Sequence, residues 1–139
     1  MVCRLLIASI VLMSGVMVGR PAGAVQLAVG QSFTEYVQLT AVTGTGDREQ
    51  KRARSLWCDP VGGDHPHGEA ACRDIAFANG DFARLPGDSR KGVCGAGSEL
   101  YDPVTVSATG VWERVTVDYQ QTFENQCKLR VRTGLVFDL

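Results

Sequence analysis

Two stretches decide the fold class: Val104-Thr105-Val106-Ser107-Ala108-Thr109 and, after Gly110-Val111-Trp112, Val115-Thr116-Val117-Asp118-Tyr119. In the first, Val104, Val106 and Ala108 alternate with Thr105, Ser107 and Thr109. In the second, Val115, Val117 and Tyr119 alternate with Thr116 and Asp118. Successive side chains of an extended chain point to opposite faces, so each stretch predicts a strand with one buried face and one open face. Phe33 to Val42 repeats the pattern, with Val37, Leu39 and Ala41 against Tyr36, Gln38 and Thr40, and turn residues follow at Thr43-Gly44-Thr45-Gly46-Asp47. Ala53 to Cys58 reads as a second short strand closed by Asp59-Pro60-Val61-Gly62-Gly63, and Leu135-Val136-Phe137 as a last one.

Between the strands lies one helical signal. Asp64 or His65 can cap a helix whose first position is Pro66, where a missing N–H is harmless. Ala71, Cys72, Ile75, Ala76 and Asn79 then fall on helical spacing, Asn79-Gly80 is a natural stop, and Asp81 to Leu85 adds a turn that Pro86-Gly87-Asp88 ends. The glycine-rich run from Gly92 to Pro103 cannot be helical. The sum is α+β: an antiparallel sheet with helix on one face.

The first residues bear on the compartment. Arg4 precedes an apolar run from Leu5 to Met13 that continues through Val16-Met17-Val18. Pro21 then breaks any helix, and Ala22-Gly23-Ala24 has the small-x-small form of a cleavage site. This predicts a signal peptide over residues 1–24, a mature domain over 25–139 and a secreted, extracellular protein; the run is short for a membrane anchor. Cys3 leaves with that peptide, so Cys58, Cys72, Cys94 and Cys127 remain. A small secreted domain with an even set of cysteines predicts disulfides, and with no Cys-x-x-Cys pair zinc is the weaker use; the residues alone leave the pairing open.

Positive evidence for an enzyme is absent: there is no Gly-x-Ser-x-Gly elbow, and the carboxylates are dispersed. Asp64-His65-Pro66-His67 invites a metal, but a helix cap explains Asp64 and Pro66 together, so no metal and no cofactor is expected. Gly95-Ala96-Gly97 lacks the Lys-Ser/Thr pair and the helix of a phosphate cradle. Arg48, Lys51, Arg52 and Arg54, interleaved with Asp47 and Glu49, read as a solvated strand edge; neither nucleic acid nor membrane is an expected partner.

One ordered set of motifs remains. It runs Tyr101-Asp102-Pro103-Val104, Gly110-Val111-Trp112, then Tyr119, Phe123, Asn125 and Cys127, and finally Val136-Phe137. Upstream lie Leu56-x-Cys58-x-Pro60, His65-Pro66, Ala70-Ala71-Cys72 and Gly80-Asp81. In this order and spacing the chain resembles the Streptomyces subtilisin inhibitors over nearly all of its mature length. The resemblance implies pairing of Cys58 with Cys72 and of Cys94 with Cys127. It implies a five-stranded antiparallel sheet with two helices on one face, usually a homodimer through the sheet. It also implies a serine protease inhibitor, not an enzyme, whose exposed loop enters the active site of an extracellular subtilisin-like or trypsin/chymotrypsin-like protease as a slowly cut, resealed substrate. Trp112, Tyr119 and Phe123 are expected in the core or the sheet interface, and Trp57 at the dimer face or in the core. The alternative is a non-inhibitory secreted binding module on the same fold, with its longer loop serving another partner.

The loop departs from the family pattern. Related inhibitors run from the cysteine through a proline and the two residues of the reactive bond directly to the tyrosine. Here Gly95-Ala96-Gly97-Ser98-Glu99-Leu100 intervenes, three residues more, with Gly95 in place of the proline. The candidate reactive loop is Gly95, Ala96, Gly97, Ser98, Glu99, Leu100 and Tyr101. Counting back from Tyr101 puts the reactive bond at Glu99–Leu100; counting forward from Cys94 puts it at Ala96–Gly97. The first suits a glutamate-preferring protease, the second one with a small primary pocket. Tyr101-Asp102-Pro103 is the stronger anchor and favours Glu99–Leu100. Gly95 and Gly97 broaden the free loop's ensemble, and ordering the extra residues costs about 1–2 kcal/mol each.

Overall fold

The structure is a computed structural model that describes residues 35–90, 94–95 and 100–139. Five antiparallel strands form one sheet in the order β3-β2-β1-β4-β5. They are β1 (Tyr36–Thr43), β2 (Gln50–Cys58), β3 (Val61–Gly63), β4 (Val104–Trp112) and β5 (Val115–Phe123), with α1 (Gly68–Phe77) between β3 and β4 and α2 (Gln126–Thr133) after β5. The alternation read from sequence is the one observed. Val37, Leu39 and Ala41 lie side by side with Val104, Val106 and Ala108, all buried, while the Tyr36, Gln38 and Thr40 row faces the other way. Helix α1 packs on β2 and β3 through Ala71, Cys72 and Ile75, and α2 contacts β5. Trp112 and Phe123 are in the core, and half-buried Tyr119 packs against Phe82 and Phe137.

Asn79 and Gly80 stop α1 as expected, with positive φ of 52° and 75°. Gly80 has a second reason to be glycine: a Cβ there would come within 2.6 Å of Trp112 Cδ1. A 3-10 turn at Phe82–Arg84 follows, capped by the Asp81 carboxylate accepting from the Ala83 N–H.

Several expectations need correction. Asp59 to Gly63 is not only a closing turn, because its last three residues add β3 to the sheet, and β2 starts at Gln50 instead of Ala53. Val115, beside the β4–β5 turn, is 68% exposed. Leu135-Val136-Phe137 is no strand. Turns closed by Val136 N–H to Thr133 O and Asp138 N–H to Leu135 O push Val136 and Phe137 into the core as a plug.

The helix cap is also displaced. His67 occupies the cap of α1, and Pro66 precedes the helix. Asp64 instead guards the sheet edge: its carboxylate accepts from the Ser55 N–H (2.6 Å) and hydroxyl (2.9 Å), and its own N–H donates to Ser55 O. These bonds hold the Asp64 carboxyl below its usual range, the Ser55 backbone N–H being the largest cause. One residue pair along, Arg54 Nη1 covers Ala53 O at 2.9 Å. An open edge that invites pairing with another chain is thus partly closed by its own side chains.

His65 is spent on structure as well. It is 9% exposed; its Nδ1 accepts from the His67 N–H and its Nε2 meets Val136 O, both at 3.0 Å. The first bond requires Nδ1 without a proton, so Nε2–H donates to the plug. Burial pushes the His65 pKa down, in keeping with a neutral ring. His67 Nε2 lies 3.3 Å from the Asp138 carboxylate, so both histidines grip the same C-terminal segment. Among the described residues no three His, Cys, Asp or Glu side chains converge as metal ligands, and no helix is long and apolar enough to cross a membrane.

Candidate functional site: the loop from Cys94 to Pro103

Two disulfides are formed, Cys58–Cys72 and Cys94–Cys127, each with Cα atoms 5.5 Å apart. The first ties β2 to α1. The second ties the loop's entrance to the first turn of α2. The segment leading to it is docked along the same helix: Asp88 N–H donates to Val131 O at 3.1 Å. A side chain at Gly87, whose φ is +68°, would run into that carbonyl. Exposed Arg90 bonds the Asp88 carboxylate and holds its pKa down to about 2.

Gly95 is exposed, and a Cβ built there meets nothing within 4 Å. Ala96, Gly97, Ser98 and Glu99 lie outside the described residues.

The exit is built differently. Leu100 and Tyr101 are 71% and 76% exposed, yet their backbone is fastened. Leu100 O accepts from Asn125 Nδ2 at 3.0 Å, and Asp102 N–H donates to Glu124 O at 2.9 Å, just before Pro103 fixes its own φ and β4 begins. Asn125 is 8% exposed and serves two elements. Its Oδ1 accepts from Lys128 N–H at 2.9 Å and caps α2 while its Nδ2 reaches the loop. The residues alone gave Asn125 no role of its own; an asparagine directly before a short helix was the available signal. Glu124 acts through its backbone, and nothing in its side chain could announce it.

The opposite face of the sheet offers a second surface. Tyr36 is paired with Trp57 on one side and Val111 on the other, and the Tyr36 and Trp57 rings stack at 6.3 Å. Trp57 therefore belongs to the open face and not to the core; its indole lies across Gly62 of β3. Beyond this apolar corner the face is polar, with Thr105 and Thr122 hydroxyls bonded at 2.8 Å.

Such an arrangement defines a class: a small disulfide-bonded α+β domain presenting an exposed loop tethered at both ends to one helix. The profile of the family described as subtilisin inhibitor-like matches residues 34–125, and the chain belongs to that family of protease inhibitors. Subtilisin inhibitor-like protein 1 of Streptomyces cacaoi is 43% identical over 95 residues, covering 67% of this chain and 84% of that one. The subtilisin inhibitor of Streptomyces violaceus is 36% identical over 120 residues, 81% of this chain and 80% of its own. Among solved structures, Streptomyces caespitosus sermetstatin in complex with Bacillus licheniformis subtilisin superposes with a TM-score of 0.56 at 28% identity, covering 76% of this chain and 98% of that one.

Proposed function

We propose that this chain is a secreted inhibitor of extracellular serine proteases that acts through a substrate-like loop between Cys94 and Pro103. Glu99–Leu100 is the bond offered for cleavage. The observation that carries this reading is the grip of Asn125 on the Leu100 carbonyl, 3.0 Å from a buried side chain. When the bond before Leu100 is cut, the new amino group belongs to Leu100 itself. A residue fastened by its own carbonyl keeps that amine beside the acyl group, so resealing competes with hydrolysis.

Residues 1–24 act as the export signal and residues 25–139 as the mature inhibitor. Two copies meet across the open sheet face, where Tyr36, Trp57 and Val111 supply the apolar centre. Subtilisin, present in the sermetstatin complex, is one candidate target; a glutamate-preferring protease fits Glu99 best.

The test is direct. Purified protein is incubated with subtilisin, trypsin, chymotrypsin and a glutamate-specific protease. The expected result is slow, tight inhibition of at least one, with a single cut at Glu99–Leu100. Rapid degradation in the loop without inhibition of any of them refutes the reading and favours a non-inhibitory binding module on the same fold.

A further inference from the structure

We infer that helix α2 carries a second docking surface beside the loop: Lys128 and Arg132, with Val131 between them, meet an acidic stretch of the target protease at the rim of its cleft and speed its capture. This rests on the inhibitor reading above. It narrows the partner to a serine protease whose surface next to the cleft is negatively charged.

Helix α2 contains Lys128, Arg130 and Arg132 and no acidic residue. This local excess stands in a chain whose net charge is −1, and two of that chain's cations, Arg4 and Arg20, fall within residues 1–24. Buried Leu129 and Thr133 mark the face of α2 turned to the domain. At about 3.6 residues per turn, Lys128, Val131 and Arg132 share the outer face. Lys128 and Arg132 are exposed there, and Val131 is 36% exposed. None of the three cations is ion-paired among the described residues, where the pairs formed are His67–Asp138, Arg84–Asp81 and Arg90–Asp88.

Helix stability accounts for Arg130 and Arg132, which suit the negative end of α2, but not for Lys128. Lys128 stands in the first turn, where the positive end of a helix disfavours a cation, and four residues before Arg132, where like charges repel. A helix this short is marginal alone, so a charge set against it calls for another reason. Its place supplies one. Cys127, the residue before Lys128, is bonded to Cys94 at the loop's entrance, so a protease seated on the loop comes close to the outer face of α2. Exposed cations at the edge of an interface act chiefly by attracting the partner before contact, and so on the association rate.

The experiment uses the full mature chain with the serine protease of the panel that it inhibits most tightly. Association is followed by stopped flow at about 20 mM salt, where charge attraction is weakly screened, and at about 500 mM, where it is almost fully screened. Lys128→Gln/Arg132→Gln should associate at least about 3-fold more slowly than wild type at the low salt and within about 2-fold of it at the high salt, with the dissociation rate little changed. Arg73→Gln/Arg114→Gln removes two charges as well, from α1 and from the β4–β5 turn at the end of β4 away from the loop, and should stay within about 2-fold at both. Lys128→Gln alone should melt no lower than wild type, because the backbone N–H capped by Asn125 is untouched and the repulsion from Arg132 is relieved. An α2 double variant slowed by less than about 3-fold at low salt, or equal slowing by both double variants, overturns the inference while leaving inhibition standing. So does unchanged association with loss of retention on immobilised polyphosphate, which assigns the patch to an anionic polymer. A wild-type chain that inhibits no protease of the panel defeats the inhibitor reading itself, and this inference with it.

Discussion

Replacing Asn125 by aspartate should separate the two duties of one side chain. The amide gives its oxygen to the Lys128 N–H, closing the N-terminus of α2, and its nitrogen to the Leu100 carbonyl. Aspartate keeps the acceptor and caps a helix as well as asparagine does, and its charge suits the positive end of the helix. Stability should therefore stay within about 1 kcal/mol of wild type. At the loop the change is severe. A hydrogen bond contributing about 0.5–1.5 kcal/mol is lost, and a carboxylate oxygen faces a carbonyl oxygen. Freeing one or two residues then adds about 1–2 kcal/mol each when the loop is ordered on the protease. Together these come to about 1.5–5.5 kcal/mol, or roughly 10- to 10,000-fold in inhibition constant. Alanine should lose the same inhibition and, in addition, about 0.5–2 kcal/mol of stability with the cap. Urea unfolding, titration of the inhibition constant and the time course of loop cleavage measure the three quantities. An Asn125→Asp protein that inhibits within about 3-fold of wild type and is cut no faster would refute the role given to the Leu100 tether.

Three more expectations concern the rest of the fold. Burial depresses the His65 pKa below its ordinary 6.5, so the neutral ring belongs to the folded state. Its contribution is complete above about 6.5, where the unfolded imidazole is also neutral, and is lost as pH falls from there toward the lower folded value. The melting temperature of the wild type should accordingly drop more between pH 7 and pH 5 than that of His65→Gln; parallel curves would count against the clasp. Removing Cys94–Cys127, which spans 33 residues, should cost about 4 kcal/mol, and removing Cys58–Cys72, which spans 14, about 3 kcal/mol, both read from denaturant midpoints; only the first should impair inhibition. At the β4–β5 turn, Glu113 and Arg114 both take positive φ, 46° and 69°. Changing them to the Asn-Gly pair such turns favour should stabilise the domain by about 1–2 kcal/mol, seen as a higher urea midpoint at unchanged slope.

The strands were legible because their burial obeys the pleat. Val37, Leu39 and Ala41 and the Val104, Val106, Ala108 row alternate cleanly, and α1 declared itself by Ala71, Cys72, Ile75 and the Asn79-Gly80 stop. Helix α2 did not. Its eight residues bury only Leu129 and Thr133, and five of them are polar or basic, Gln126, Lys128, Arg130, Arg132 and Thr133, so no apolar stripe marks it. Val136 and Phe137 were legible as core but not as turns, since two adjacent apolar residues cannot distinguish a buried strand from a plug. Asp64 was misread because a carboxylate before a helix is as good a cap as it is an edge guard; only the register of β2 against β3 brings Ser55 beside it. Of the candidate site, the cysteines and the exposed Leu100 and Tyr101 could be named in advance. Asn125 stood only as one member of the motif set, without a role, and Glu124 not at all, because what they hold lies 22 to 25 positions away in sequence.

A helix as short as α2 is marginal on its own, and it stands because of its attachments. Asn125 closes its start, Cys127 bonds it to Cys94, Gly134 N–H returns to Arg130 O at its end, and the Val136–Phe137 plug pins the C-terminal segment beyond it. The first two of these also hold the loop. Undocking the plug should therefore reach the loop through the helix. Phe137→Ala, which removes a fully buried ring at about 3–5 kcal/mol, should weaken inhibition and raise loop cleavage under conditions where the domain is still folded. Loss of the Cys58–Cys72 bridge, a comparable destabilisation lodged on β2 and α1, is the matched control and should leave inhibition alone. If both variants impair inhibition equally, global stability and not the α2 attachment governs the loop. If neither does, the loop is held by its own termini without help from the plug.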